Sequence, residues 1–172
     1  MYNRLLVAYD GSENSLMAFH EAINIAKTQG KSKKPEIFVV SVIPEFDIPH
    51  AQESESLVVY FGKYYREKHN YLLEFSKNEG LEIKTHILVG DPSKKIIDFA
   101  KENDVDLIVI TKTSKTKVQQ WLMGSVTKRI LEYSNCSVLL VDKQSTEKKE
   151  VKKHKNRETK DIESKENVLK NK

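Results

Sequence analysis

Short apolar runs alternate with longer amphipathic stretches along most of the chain. The first run, Arg4-Leu5-Leu6-Val7-Ala8-Tyr9, is closed by the turn residues Asp10-Gly11-Ser12, which predicts a buried strand. From residue 13 to 29 the apolar positions Leu16, Phe19, Ala22, Ile23 and Ala26 recur at helical spacing, with Gly30 where a C-cap belongs. Residues 37–43 form a second, nearly continuous apolar run that Pro44 ends. Continuous rather than alternating strands imply burial on both faces, as in a parallel sheet covered by helices. A loop of about ten residues and a long helix over 53–79 follow, with Leu57, Phe61, Tyr64, Tyr71, Leu72 and Phe75 as its apolar stripe and Gly80 as its end. Residues 81–89, 106–111 and 137–141 read as three further strands. Asp91 as N-cap and Pro92 at the first helical position start a helix carrying Ile96, Ile97, Phe99 and Ala100. A last helix spans 126–133. Strand and helix alternate throughout, which is the βαβ signature of a doubly wound α/β domain on five parallel strands.

After residue 142 this rhythm stops. Residues 143–172 hold ten Lys and one Arg against six acidic residues, a net charge of +5 in a chain of +4 overall. The basic character therefore belongs to this segment, and residues 1–142 stand near −1. The division predicts a domain over 1–142 and a charged, disordered tail over 143–172. The tail has no aromatic residue to stack on bases, and its acidic residues dilute its field, which argues against a nucleic-acid arm.

Several chemistries find no support. A single cysteine, Cys136, excludes a disulfide framework and suits a reducing compartment. With no visible charged leader and apolar h-region, the expectation is a cytoplasmic protein. Apolar runs such as residues 138–141 are far too short to cross a bilayer. His20, His50, His69, His86 and His154 are not at metal-ligand spacing, and Cys136 reads as a small packed hydrophobe. Asp10 and Asp91 both follow strands, yet nothing pairs either with a second catalytic group. Residues 90–95 (GDPSKK) lack the glycine that a phosphate loop needs before its lysine, and no three-glycine dinucleotide fingerprint follows the first strand.

In open parallel sheets, ligands lie beyond the carboxyl ends of the strands, where strand order reverses. Asp10-Gly11-Ser12, Val42-Ile43 and the connection from Thr111 to Ser125 should meet there. That connection carries Lys112, Lys115, Lys117 and the only tryptophan, Trp121, and ends in Gly124-Ser125 at a helix start. Free N–H groups and a partial positive charge at such a helix start suit a phosphate, although Ser125 equally reads as a plain N-cap.

The pieces in order resemble the universal stress protein family. Leu6-Val7-Ala8-Tyr9-Asp10-Gly11-Ser12 resembles its first strand and aspartate, Gly90-Asp91-Pro92 its turn into the third helix, and Asp106-Leu107-Ile108-Val109-Ile110 its fourth strand. Leu122-Met123-Gly124-Ser125-Val126 and Cys136-Ser137-Val138-Leu139-Leu140-Val141 resemble its closing segment. The resemblance covers residues 2–142. It implies an adenine nucleotide alpha-hydrolase-like sheet of order 3-2-1-4-5, a homodimer pairing residues 137–141 across its axis, and a role in survival under stress. One branch binds ATP or AMP through glycine, two residues, glycine, nine residues, then glycine and serine or threonine. Here those positions fall on Thr111, Ser114, Gly124 and Ser125, so the signature is half kept. By the same analogy, Asp10 faces the ribose and Val42 meets adenine through its backbone; the Asp10 carboxylate can also hold magnesium, and Val126 is counted with the binding residues. Two functions follow as expectations: a non-catalytic stress module binding ATP or AMP weakly, or a dimeric stress protein without nucleotide that works through protein partners. Slow ATP hydrolysis rests on the family alone.

Overall fold

A computed structural model of the chain describes residues 1–29, 34–45, 51–112 and 124–142, the side chains of 51–54 excepted. In chain order the elements are β1 (Arg4–Ala8), α1 (Glu13–Thr28), β2 (Glu36–Ile43), α2 (Ala51–Asn78), β3 (Ile83–Val89), α3 (Pro92–Glu102), β4 (Leu107–Thr111), α4 (Ser125–Tyr133) and β5 (Ser137–Val141). The strands form one parallel sheet of order β3-β2-β1-β4-β5, as the resemblance implies. Gly30 and residues 143–172 lie outside the described residues.

Alternate residues of each strand feed two separate cores. Leu5, Val7, Ile37, Val39, Leu107 and Val109 pack with Phe19, Ala22 and Leu72 on the α1/α2 face. Leu6, Phe38, Val40, Ile108 and Ile110 pack with Ile96, Phe99 and Ile130 on the α3/α4 face. Burial on both faces explains the continuous apolar runs. Cys136 packs at the edge of the second core, as a small hydrophobe would.

The stripe assigned to α2 needs correcting. Its buried positions among the described side chains are Gly62, Tyr65, His69, Leu72 and Ser76, while Tyr71 is 53% exposed. Polar His69 and Ser76 hid the true stripe from a hydrophobicity pattern. Helix α3 starts as its sequence dictates: Asp91 Oδ1 accepts from Lys94 N at 2.8 Å, and Pro92 is the first helical residue. Asp91 also pairs with Arg129 of α4 at 2.9 Å. The bonds from Ser93 and Lys94, with Arg129, hold its carboxyl down at about 2.

Candidate functional site

Strand register brings the first of the expected residues to one level. Ala8 pairs with Val40, and Val7 with Val109. Asp10, Val42 and the Thr111–Lys112 step therefore stand side by side at the carboxyl ends of β1, β2 and β4. The strand order reverses between β1 and β4.

The turn after β1 is held by its own side chains. Gly11 has φ +80°, and a Cβ there would stand 2.6 Å from the Tyr64 hydroxyl, so backbone and space both require glycine. Ser12 is the N-cap of α1, its Oγ accepting from Ser15 N at 3.1 Å. The Ser12 hydroxyl donates to Asp10 Oδ1 at 2.5 Å, and Ser12 N donates to the same oxygen at 3.0 Å. Partial desolvation pushes the Asp10 carboxyl up, but hydrogen bonds from Ser12 and Ser15 outweigh it and hold the group below its ordinary value. Asp10 is thus an exposed, ionised acceptor with one oxygen engaged twice.

Below this turn lies a buried polar chain that the sequence reading missed. Ser41, fully buried on β2, donates its single hydroxyl hydrogen to Tyr9 O at 2.7 Å. His69 Nε2 lies 2.8 Å from Ser41 Oγ and must therefore be the donor, which fixes the neutral tautomer with its proton on Nε2. Burial drives the His69 pKa down to about 4. Tyr9 and Tyr65 rings flank the imidazole at 6.1 and 6.4 Å. Burial, with the Asp10 charge nearby, pushes the Tyr65 hydroxyl up to about 12. Tyr64, half-buried, reaches back over the turn and donates to Gly11 O across a long 3.4 Å. The sequence signal for this wall was the Tyr64-Tyr65 pair, of which only Tyr64 was read as apolar stripe.

Across the switch point, Thr111 ends β4. It is 5% exposed and not at positive φ, so the threonine stands in extended backbone without the strain that a glycine-requiring position would impose. Thr127 Oγ1 donates to Thr111 O at 3.3 Å and ties the first turn of α4 to the strand. Gly124 is the N-cap of α4, with no side-chain cap bond, and Ser125 is the first helical residue. The plain N-cap reading of Ser125 is therefore overturned: the cap position is one residue earlier and has no side chain to offer. Gly124 has φ −59°, so any residue could adopt that backbone; its effect is that the cap position itself offers the helix start no side chain. Val126 is half-buried against the α3/α4 core, and Val42, 8% exposed, packs in that core. Thr111, Gly124, Ser125 and Val126 are thus gathered at one end of α4, while Asp10 and Val42 belong to the neighbouring strand ends. Ser114, Lys115, Lys117 and Trp121 lie outside the described residues.

A cavity of about 300 Å³ lies elsewhere, lined by Ile97, Val105, Ile108 and Cys136 among others, toward the amino ends of β4 and β5. Burial and nearby Asp106 push the Cys136 thiol up, which makes it a poor nucleophile. Among the described residues, no three His, Cys, Asp or Glu side chains are grouped to hold a metal. No helix among them is long and apolar enough to cross a membrane.

Comparison with known proteins agrees with this architecture. The sequence model of the universal stress protein family matches residues 1–142. Universal stress protein MJ0531 of Methanocaldococcus jannaschii is 33% identical over 147 residues, covering 86% of each chain. The solved structure of MJ0577 superposes with a TM-score of 0.73 at 26% identity, covering 83% of this chain and 97% of that one. A universal stress protein from Archaeoglobus fulgidus, solved in complex with dAMP, superposes with a TM-score of 0.57 at 22% identity, covering 81% and 97%. With a family match over the whole α/β domain and the same sheet order, the chain belongs to the universal stress protein family.

Proposed function

We propose that this protein is a non-catalytic stress-response module that holds ATP or AMP weakly at the carboxyl end of its sheet. The observation that carries the reading is the start of α4, which has no side-chain cap among the described residues, beside the strand-order switch. Gly124 contributes no side chain, so among the described residues the first N–H groups have no side-chain cap, and with the positive end of the helix they suit an anion. Ser125, exposed at the first helical position, adds a hydroxyl donor. Ionised Asp10 offers an acceptor for a sugar hydroxyl and a carboxylate to which magnesium can bind. Thr111 fits the end of β4 without backbone strain, so loss of the family glycine there costs room beside a phosphate rather than fold stability. The relative solved with dAMP supports adenine as the base. Calorimetric titration with ATP and AMP is the test. We expect Kd values between about 10 μM and 1 mM, raised about tenfold by Ser125→Ala. Wild-type protein that gives no heat with either nucleotide would remove this reading.

The partner-binding reading has its own observation. Strand β5 closes one edge of the sheet, and Val138, Leu139 and Leu140 are only half-buried there, with neither proline nor charge to blunt the edge. We infer a homodimer through Ser137–Val141, with residues 1–142 as the folded domain and 143–172 as an appendage. Sedimentation at micromolar concentration should give a dimer both for the full chain and for a chain ending at Lys143. A monomer in both would defeat the pairing, and a monomer only after truncation would make the tail its scaffold.

A further inference from the structure

Asp10 offers a vicinal diol one carboxylate oxygen. Its Oδ1 already accepts two hydrogen bonds from Ser12, so Oδ2 is the open acceptor. One ribose hydroxyl can donate there. The hydroxyl on the adjacent carbon can share Oδ2 through its second lone pair, or be read separately by a neighbouring group that both donates and accepts.

Tyr64 supplies such a group next to the turn. Its hydroxyl stands over Gly11, the residue after Asp10, and its described hydrogen bond there is a long 3.4 Å contact to Gly11 O. That bond is poor enough for a better-placed partner to replace it. The ring is braced from behind: Tyr65 packs edge-on at 5.4 Å, and Lys68 Nζ lies 5.7 Å from the ring centroid. The ring is therefore a fixed wall with a weakly engaged hydroxyl at its tip. The missing Cβ at Gly11 is what lets that tip approach; a Cβ would stand 2.6 Å from it. Tyr65, only 7% exposed, is too enclosed for the same task. Resting on the adenine-nucleotide reading above, we propose that Tyr64 and Asp10 together recognise the ribose diol, so that this site selects ribonucleotides over deoxyribonucleotides.

The experiment is calorimetric titration with AMP, 2′-deoxy-AMP and 3′-deoxy-AMP on the wild type, Tyr64→Phe and Ser125→Ala. The wild type should favour AMP over at least one deoxy analogue by about fivefold to tenfold, the scale of one hydrogen bond. Tyr64→Phe keeps the ring and its packing; it should lose most of that preference while binding the deoxy analogue as the wild type does. Ser125→Ala should weaken all three nucleotides alike. A wild type that ignores the sugar, or a Tyr64→Phe protein that keeps the full preference, overturns the proposal. In either case, nucleotide binding that remains sensitive to Ser125→Ala leaves the broader reading standing. Wild-type protein that binds none of the three ends this proposal, and ends the broader reading as well if ATP also gives no heat.

Discussion

At the amino ends of the strands, side chains stitch neighbouring elements together. Asp106 accepts from Asn3 N at 2.7 Å and Arg4 N at 3.1 Å, fixing the start of β1 against β4. Arg4 reaches Asn103 O and Asp104, both at 3.0 Å, and Glu36 at 3.5 Å; Glu36 also pairs with Lys84 of β3. At the carboxyl ends, bonds across elements also occur, from Ser41 to Tyr9, His69 to Ser41, Thr127 to Thr111 and Arg129 to Asp91, but the described groups nearest the strand-order switch are turned on their own segment or left open. Asp10 is held by Ser12 and Ser15, Gly124 caps nothing with a side chain, and Ser125 is exposed. Both ends belong to the same sheet, so propensity and core packing are common to them. The difference lies in how polar capacity is spent: across elements at one end, and partly reserved at the other. A ligand needs unspent donors and acceptors in a pre-set geometry, and Asp10, Ser125 and the first turn of α4 hold such groups.

The largest expected effect probes the buried layer beneath that open end. His69 is 3% exposed and its pKa is lowered to about 4, so the folded state holds it neutral. The unfolded chain, with an ordinary histidine pKa near 6.5, binds more protons between those two values. Stability from this group is therefore complete above about pH 6.5 and is lost as pH falls toward 4. Between pH 7 and pH 5 the loss should be about 2 kcal/mol. His20 and His86, also lowered by burial, act in the same direction. Asp10 and Asp91, whose folded pKa values are depressed, act only at more acidic pH. Urea unfolding at pH 7, 6 and 5 measures the slope. His69→Gln can still donate to Ser41 but does not titrate, so it should flatten much of it. An unchanged slope in that variant would move the proton-sensitive layer elsewhere.

Much of the fold was legible because strands buried on both faces leave unbroken apolar runs, and capping residues mark helix starts. Asp91-Pro92 located α3 to the residue. The stripe of α2 was misread because His69 and Ser76, both buried, count as polar in any pattern; their partners come from β2 or from the preceding helical turn. The site was legible only in part. Asp10, Thr111 and Gly124 could be placed at one end of the sheet from topology alone. The wall of Tyr64 and Tyr65 could not, because it depends on where a 28-residue helix crosses the turn after β1. That crossing is set by packing between elements distant in sequence. Gly124 and Ser125 show the same limit on a smaller scale, since the helix boundary differs by one residue and changes which of them is the cap.

The smaller effect tests whether the two ends are separable. Asp106 makes its bonds to Asn3 and Arg4 at the amino end, one strand length from the candidate site. Asp106→Ala removes a charged acceptor from two backbone N–H groups and should cost about 1.5 kcal/mol; the site is partly open to water, so the loss falls at the low end for charged hydrogen bonds. Nucleotide affinity should stay within about twofold, because no element at the carboxyl end loses a partner. Ser125→Ala is the mirror case. The side chain is exposed and makes no cap bond, so stability should move by less than about 0.5 kcal/mol while nucleotide affinity falls. Urea midpoints and calorimetric titration on the same two variants read both quantities. If Asp106→Ala weakened AMP as much as Ser125→Ala does, the amino-end network would be part of the binding machinery. Reserved polar capacity at one end would then no longer account for where the ligand sits.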